Sequence, residues 1–164
     1  MRAALILALT LTLAACSTPS IVKDAADWVL PKGEKLQWKA LRLQPQPNAN
    51  QNSPIALDLV LALDQVTADK LETLTGTQWH LQREGLLNGL QGMVAIQKFE
   101  LTPGDGIQVL EDELPKARAL HAYVFANLKG EAVGRLRIST RPKQVVIEVG
   151  ETELHLRTDP PLRP

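Results

Sequence analysis

Few side chains in this 164-residue chain could do chemistry. There is one cysteine, Cys16, and there are three histidines, His80, His121 and His155. A single thiol can close no internal disulfide and build no cysteine-rich zinc site. The histidines are far apart in the sequence and make no close-spaced His-x-x-x-His pair, so they read as surface or strand-packing residues rather than metal ligands. Beyond the first twenty residues only Ser53 and Ser139 offer a serine hydroxyl, and neither lies in a Gly-x-Ser-x-Gly turn. Gly104-Asp105-Gly106 lacks the remaining glycine and the following helix of a dinucleotide fingerprint, which leaves a turn. Glu111-Asp112-Glu113 has no EF-hand spacing, and a solvated loop is the better reading than a calcium site. No catalytic residue, metal or cofactor is expected, and the chain reads as a non-enzyme.

The charges point the same way. Lys and Arg number 18 against 18 Asp and Glu, and the pI is about 6.8. A nucleic-acid partner would require a basic face to neutralise phosphates, so none is expected. Nothing suggests a small-molecule substrate either. A hydrophobic content of 45% with 22% charged residues excludes wholesale disorder. The balance is uneven along the chain. Glu100–Glu113 holds acids and no base, whereas Lys129–Lys143 is basic apart from Glu131. Such blocks usually make solvated loops and edge protection; the sharper reading is a partner surface.

Cys16 acquires a meaning from what precedes it. Arg2 is followed by an uncharged, mostly apolar run, Ala3 to Ala15. As a helix that run spans about 20 Å, short of a bilayer core of about 30 Å, so it reads as a secretory signal and not a membrane span. Leu13-Ala14-Ala15-Cys16 resembles the bacterial lipobox. The resemblance implies cleavage before Cys16, diacylglycerol on its sulfur and an acyl chain on its new α-amine. At about 0.8 kcal/mol per buried methylene, such chains hold a protein on a bilayer almost permanently. Ser17 in place of an aspartate resembles the signal for outer-membrane delivery. The expected organisation is a signal peptide over 1–15, a lipidated tether over 16–33, a folded domain over 34–157 and a flexible tail over 158–164. Within the tether, Trp28 is expected to pack a short helix onto the domain.

The domain reads as β. Leu36, Trp38 and Ala40 alternate with polar residues, and the apolar phase shifts at Leu41 and Leu43, which predicts a bulge. Gln44–Ser53 carries no charge, two prolines and three asparagines, the composition of a surface loop. Ile55 to Leu63 is a strand with leucine and isoleucine on one face and Ala56, Asp58, Val60 and Ala62 on the other. Thr67–Asn88 interrupts the pattern with two helices, capped at Thr67 and Thr77 and stopped by Gly89 and Gly92. Strands resume at Val94–Leu101, Ile107–Leu110, Leu120–Leu128, Gly134–Ser139, Val145–Val149 and around Leu154–Leu156. About eight strands with one helical insertion predict an all-β domain, a single β-sandwich, because each half-apolar sheet needs a second to cover it.

Three stretches are similar to a known family: Leu41–Leu63 (LRLQPQPNANQNSPIALDLVLAL), Phe99–Gly104 (FELTPG) and Leu114–Leu128 (LPKARALHAYVFANL). Together with the lipobox, they resemble the type VI secretion outer-membrane lipoproteins, the TssJ/SciN/VasD family. The resemblance implies a transthyretin-like β-sandwich that anchors a trans-envelope complex to the outer membrane from its periplasmic face. It also implies binding to the periplasmic domain of an inner-membrane, TssM-like subunit. The family's first inter-strand loop is a main contact, which carries over here to Gln46, Pro47, Asn48, Ala49, Asn50 and Gln51. Two alternatives stay open at this point. One is a pilotin or assembly chaperone that binds a peptide at a sheet edge. The other is a periplasmic ligand-binding or inhibitor module that uses the acidic and basic blocks.

Overall fold

The computed structural model describes residues 33–90, 92–130 and 133–159. Cys16, the lipobox and Trp28 lie outside the described residues. Among the described residues, ten strands and two α-helices follow in the order β1 (Glu34–Lys35), β2 (Ala40–Pro45), β3 (Ile55–Ala62), α1 (Gln65–Glu72), α2 (Gly76–Leu90), β4 (Val94–Leu101), β5 (Ile107–Leu110), β6 (Arg118–Ala119), β7 (His121–Ala126), β8 (Arg135–Ile138), β9 (Gln144–Val149) and β10 (Leu154–Asp159). One sheet has the order β10-β9-β2-β5, with β2 and β9 parallel. The second has the order β4-β3-β7-β8 and is antiparallel throughout. β1 and β6 form a small ribbon beside them. The expected sandwich is present. β10 reaches Asp159, two residues past the expected domain boundary, because Thr158 and Asp159 pair with Val145 and Gln144.

Strand alternation fills the space between the sheets. Leu57, Leu59 and Leu61 from β3, Ala122 and Val124 from β7, Leu41 and Leu43 from β2, and Val145, Ile147 and Val149 from β9 form one fully buried core. The phase shift before Leu41 is not a bulge. The chain leaves the strand after β1 and rejoins a sheet at Ala40, while Gln37 N–H and Lys39 N–H bond to Thr140 and Lys143 carbonyls. Trp38 is wholly buried in this break and its indole N–H donates to Ser139 O at 2.9 Å. That bond settles the polar end of an otherwise apolar side chain.

The second face of the β3 sheet is buried too, which the alternation of β3 alone does not reveal. Val60, Ala62, Tyr123 and Phe125 meet Ala68, Leu71, Trp79 and Leu86 of the helices in a second core. Trp79 stacks on Phe125 with centroids 5.0 Å apart. Asp64 caps α1 by accepting Thr67 N–H at 2.8 Å, and the Thr67 side chain, then that N–H, hold its carboxyl below the usual range. Thr75 and Gln78 form a reciprocal capping box at the start of α2. Both helices therefore begin earlier than Thr67 and Thr77 suggest, because Asp64 and Thr75 are the residues whose oxygens reach free N–H groups. α2 also runs through Gly89 to Leu90.

Polar groups lock the helices to the sheet. Asp58 is 1% exposed and accepts from Trp79 Nε1 at 2.8 Å and from Arg83 at 2.9 Å. Tyr123 Oη donates toward Ala68 O and Glu72, and burial, then the Glu72 carboxylate, pushes its phenol well above the usual range. Arg135 donates to the carbonyls of Glu72 and Leu74 at the end of α1. Gly76 sits so close to β7 that a Cβ there would lie 2.1 Å from Ala126 O.

Candidate partner-binding surface

The β2–β3 loop, Gln46–Pro54, is held by backbone bonds to its neighbours at one end of the sandwich. Gln46 N–H donates to Val149 O at 2.8 Å, and Gln46 O accepts from Ala49 N–H at 2.9 Å and Gly104 N–H at 3.1 Å. Asn50 N–H donates to Gly150 O at 3.1 Å. A short 3-10 turn spans Ala49–Gln51. Asn50, Gln51 and Asn52 then take three successive positive φ values, 48°, 55° and 56°. Left-handed backbone costs an L-residue roughly 1 kcal/mol, least for asparagine, so this turn needs external support.

Asn50 supplies that support. Its side chain is buried, and Nδ2 donates to Pro54 O at 2.8 Å and to Ser53 O at 3.4 Å. Its Oδ1 accepts Lys129 N–H at 2.6 Å, which ties the loop to the β7–β8 connection. Lys129 Nζ reaches back to Ser53 Oγ at 2.6 Å. An open cleft of about 470 Å³ lies beside this seam, lined by Ser53, Thr77, Glu100, Asn127 and Lys129.

The expected contact loop therefore divides in two. Gln46, Pro47, Asn48 and Gln51 are exposed, as is Asn52. Ala49 is fully buried in the inter-sheet core and Asn50 is 3% exposed. Within the single chain those two serve as internal anchors: one is small enough to plug the core, and the other carries an amide that satisfies the loop's own backbone. Sequence pattern marks the loop as polar but does not say which asparagine turns inward. The signal available was the run Asn-Gln-Asn, whose asparagines tolerate left-handed backbone.

Other candidate residues are scattered. His80 bonds Phe125 O, His121 lies edge-on to Tyr123, and His155 sits 3.1 Å from Glu153. Among the described residues no group of three His, Cys, Asp or Glu side chains could hold a metal ion. Glu113 closes a turn by accepting Leu110 N–H at 2.9 Å, and Lys116 donates to Glu111 O. Three arginines of the basic block pair with acids outside the acidic block, and Glu111 of the acidic block pairs with a lysine outside the basic one. Arg135 and Arg137 meet Glu72, Arg141 meets Glu34, and Lys39 meets Glu111. The Arg141 bond holds the Glu34 carboxyl below its usual range, and Lys39 does the same for Glu111. The pair sequence reasoning missed is Asp58 with Arg83, hidden because a strand carboxylate reads as solvent-facing until helices cover it.

No protein-family model matches the chain, and no curated protein matches it significantly. Several solved structures do. The T6SS lipoprotein TssJ1 from Pseudomonas aeruginosa superposes at a TM-score of 0.55 and 17% identity, covering 80% of this chain and 98% of that one. Lip of Serratia marcescens, a membrane-bound component of the type VI secretion system, gives 0.53 and 14%, covering 77% and 97%. The C-terminal domain of the T6SS protein TssM from EAEC gives 0.51 and 17%, covering 72% and 95%. At these identities the likeness is one of fold: the chain carries the β-sandwich of TssJ-type lipoproteins.

Proposed function

We propose that this chain is an outer-membrane lipoprotein, anchored through Cys16 with its sandwich in the periplasm, and that it is a structural component of a type VI secretion membrane complex. In this reading it binds the periplasmic domain of a TssM-like inner-membrane subunit and catalyses nothing. The observation that carries the proposal is that this sandwich covers nearly the whole of the solved T6SS lipoprotein chains. Fold alone does not separate such a lipoprotein from the TssM domain it also resembles. The lipobox-like Leu13–Cys16 supplies the distinction, since acylation of Cys16 requires a leader of that kind.

The exposed part of the loop, Gln46, Pro47, Asn48 and Gln51, is the proposed contact. Its backbone is already fixed by Asn50 and by bonds to Val149, Gly104 and Gly150, so little conformational entropy is lost on binding. Two experiments test the reading together. Metabolic labelling with palmitate should mark the wild-type chain and not Cys16→Ala. Co-purification from envelopes should recover the TssM-like subunit with the wild type and lose it with Pro47→Ala/Asn48→Ala/Gln51→Ala. An unlabelled wild type, or a complex that forms equally with the triple variant, would sink the corresponding half.

A further inference from the structure

We infer that the cleft beside Glu34 docks on anionic lipid headgroups of the leaflet that holds the acyl chains of Cys16. The inference rests on the lipid anchor proposed above. The cleft is open, has a volume of about 470 Å³, and is lined by Glu34, Gln65, Leu120, His121, Arg137 and Arg141. It sits at the opposite end of the sandwich from the β2–β3 loop. Ile55 of β3 pairs with Leu101 at the loop end, whereas Ala62, at the far end of β3, pairs with His121 of the cleft. The eight residues of β3, at about 3.3 Å each, put the two ends about 25 Å apart.

Guanidinium groups outnumber the carboxylates that meet them here. Arg135 and Arg137 share Glu72, at 3.3 and 3.6 Å, and Arg141 takes both oxygens of Glu34. Arg118, opposite Lys35 in the β1–β6 ribbon, spends its Nε on the neutral carbonyl of Gly33 and adds to the pull on Glu34. Arg137 and Arg141 each keep more than half of their side-chain surface exposed, so their remaining N–H groups can reach a phosphate. The Ser139 hydroxyl accepts Arg141 N–H and can donate from the same wall. The 111–113 turn also lies at this end, but on the other sheet, where Lys39 and Lys116 bond Glu111. The opposite end is acidic: Glu100, Asp105, Glu151 and Glu153 are exposed around the loop, with Lys129 among them. An anionic leaflet attracts the arginines of the first end and repels the carboxylates of the second.

The chain is fastened at the same end. Sixteen residues, 17–32, separate Cys16 from Gly33, and Glu34 stands on the cleft wall. Fully extended, that stretch reaches about 60 Å at most, so the cleft end cannot leave the neighbourhood of the leaflet. Tethering of this kind raises the effective concentration of headgroups at the cleft to roughly the mM range, where weak phosphate contacts are populated. Docked in this way, the sandwich turns its β2–β3 loop away from the lipid and toward a partner that approaches across the periplasm.

The test uses the full lipidated chain in phosphatidylcholine vesicles, with and without phosphatidylglycerol. A fluorophore is attached at Gln65→Cys on the cleft or at Asn48→Cys on the loop, and a headgroup-linked nitroxide quenches whichever approaches the leaflet. With phosphatidylglycerol present, quenching at position 65 should exceed that at position 48 by about threefold or more. It should fall to the level seen without phosphatidylglycerol in high salt, and in Arg137→Gln/Arg141→Gln, because each guanidinium near an anionic leaflet favours docking by about fivefold. The comparison of lipids needs no arginine variant, and the double variant should keep the wild-type circular dichroism spectrum. Equal quenching at position 65 with and without phosphatidylglycerol overturns the inference, as does an arginine variant quenched like the wild type. If the first of these results comes with a thermal midpoint raised by inorganic phosphate, the cleft takes a free anion instead. Failure of the anchor reads differently: the unsubstituted chain would take the thiol label at Cys16 and would not float with the vesicles, which overturns both readings.

Discussion

Replacing Asn50 by alanine should loosen the β2–β3 loop and destabilise the domain by about 3 kcal/mol. The figure comes from the bonds the side chain makes and the backbone it occupies. Two good hydrogen bonds disappear, Nδ2 to Pro54 O at 2.8 Å and Lys129 N–H to Oδ1 at 2.6 Å, each worth about 1 kcal/mol net. The third, to Ser53 O at 3.4 Å, is long and adds little. Alanine must also hold φ near 48°, which costs about 1 kcal/mol more than asparagine there. Glycine at the same position loses the same bonds without that backbone cost, so Asn50→Gly should be about 1 kcal/mol less damaging than Asn50→Ala. Urea denaturation followed by tryptophan fluorescence reads both. With an m-value of about 2 kcal/mol/M, the alanine midpoint should fall by about 1.5 M. Subunit binding should weaken in both variants, although neither removes an exposed contact residue. An alanine midpoint within about 0.2 M of wild type, or a glycine variant less stable than the alanine one, would refute the reasoning.

Other perturbations reach the rest of the structure. Asp58→Ala strands the Trp79 indole N–H and unpairs Arg83, and should cost about 2–4 kcal/mol in urea denaturation; Asp58→Ala in an Arg83→Met background should cost less than in wild type. Gly76→Ala would drive a Cβ to 2.1 Å from Ala126 O, and the thermal midpoint should fall as for overpacking of about 2–3 kcal/mol, whereas Gly89→Ala, with open space around it, should be neutral or slightly stabilising. The carboxyls of Glu34, Asp64 and Glu111 are held below their usual range by Arg141, Thr67 and Lys39 respectively. Their folded values lie below the unfolded ones, so their stabilisation is complete above about pH 5 and drains away as pH falls through about 4 and below. The urea midpoint should therefore be flat from pH 7 to 5 and decline beneath that, and Asp64→Ala should start about 1 kcal/mol lower at neutral pH and show a shallower acid slope.

Much of the strand layout was legible in the sequence because alternation is a local signal. Val94–Leu101 and Ile107–Leu110 fall where the apolar pattern places them, and the Leu57, Leu59 and Leu61 face packs inward as its period requires. What a strand's second face meets is not local. Val60 and Ala62 could face water or helices, and only the packing of Trp79 and Leu71 decides it. Asp58 is the sharpest case, since its burial depends on Arg83 and Trp79 arriving from another element. The helix caps were misplaced for a related reason: several threonines and one aspartate compete for free N–H groups, and geometry picks Asp64 and Thr75. In the candidate surface, polarity announced the Gln46–Gln51 loop. The inward turn of Ala49 and Asn50 was hidden, because it depends on Lys129 and Pro54 offering partners from distant and adjacent chain.

The central claim is that this sandwich is tethered through Cys16 and meets a secretion subunit with its β2–β3 loop. Site-specific photocrosslinking in living cells tests it most directly, with a benzophenone side chain at Asn48 in the lipidated, full-length chain. The account predicts a crosslink to the TssM-like subunit from position 48, lost when Cys16→Ala abolishes membrane attachment. The same probe at Lys70, exposed on α1 away from the loop, should give none. A crosslink from position 70 and none from position 48 would contradict it.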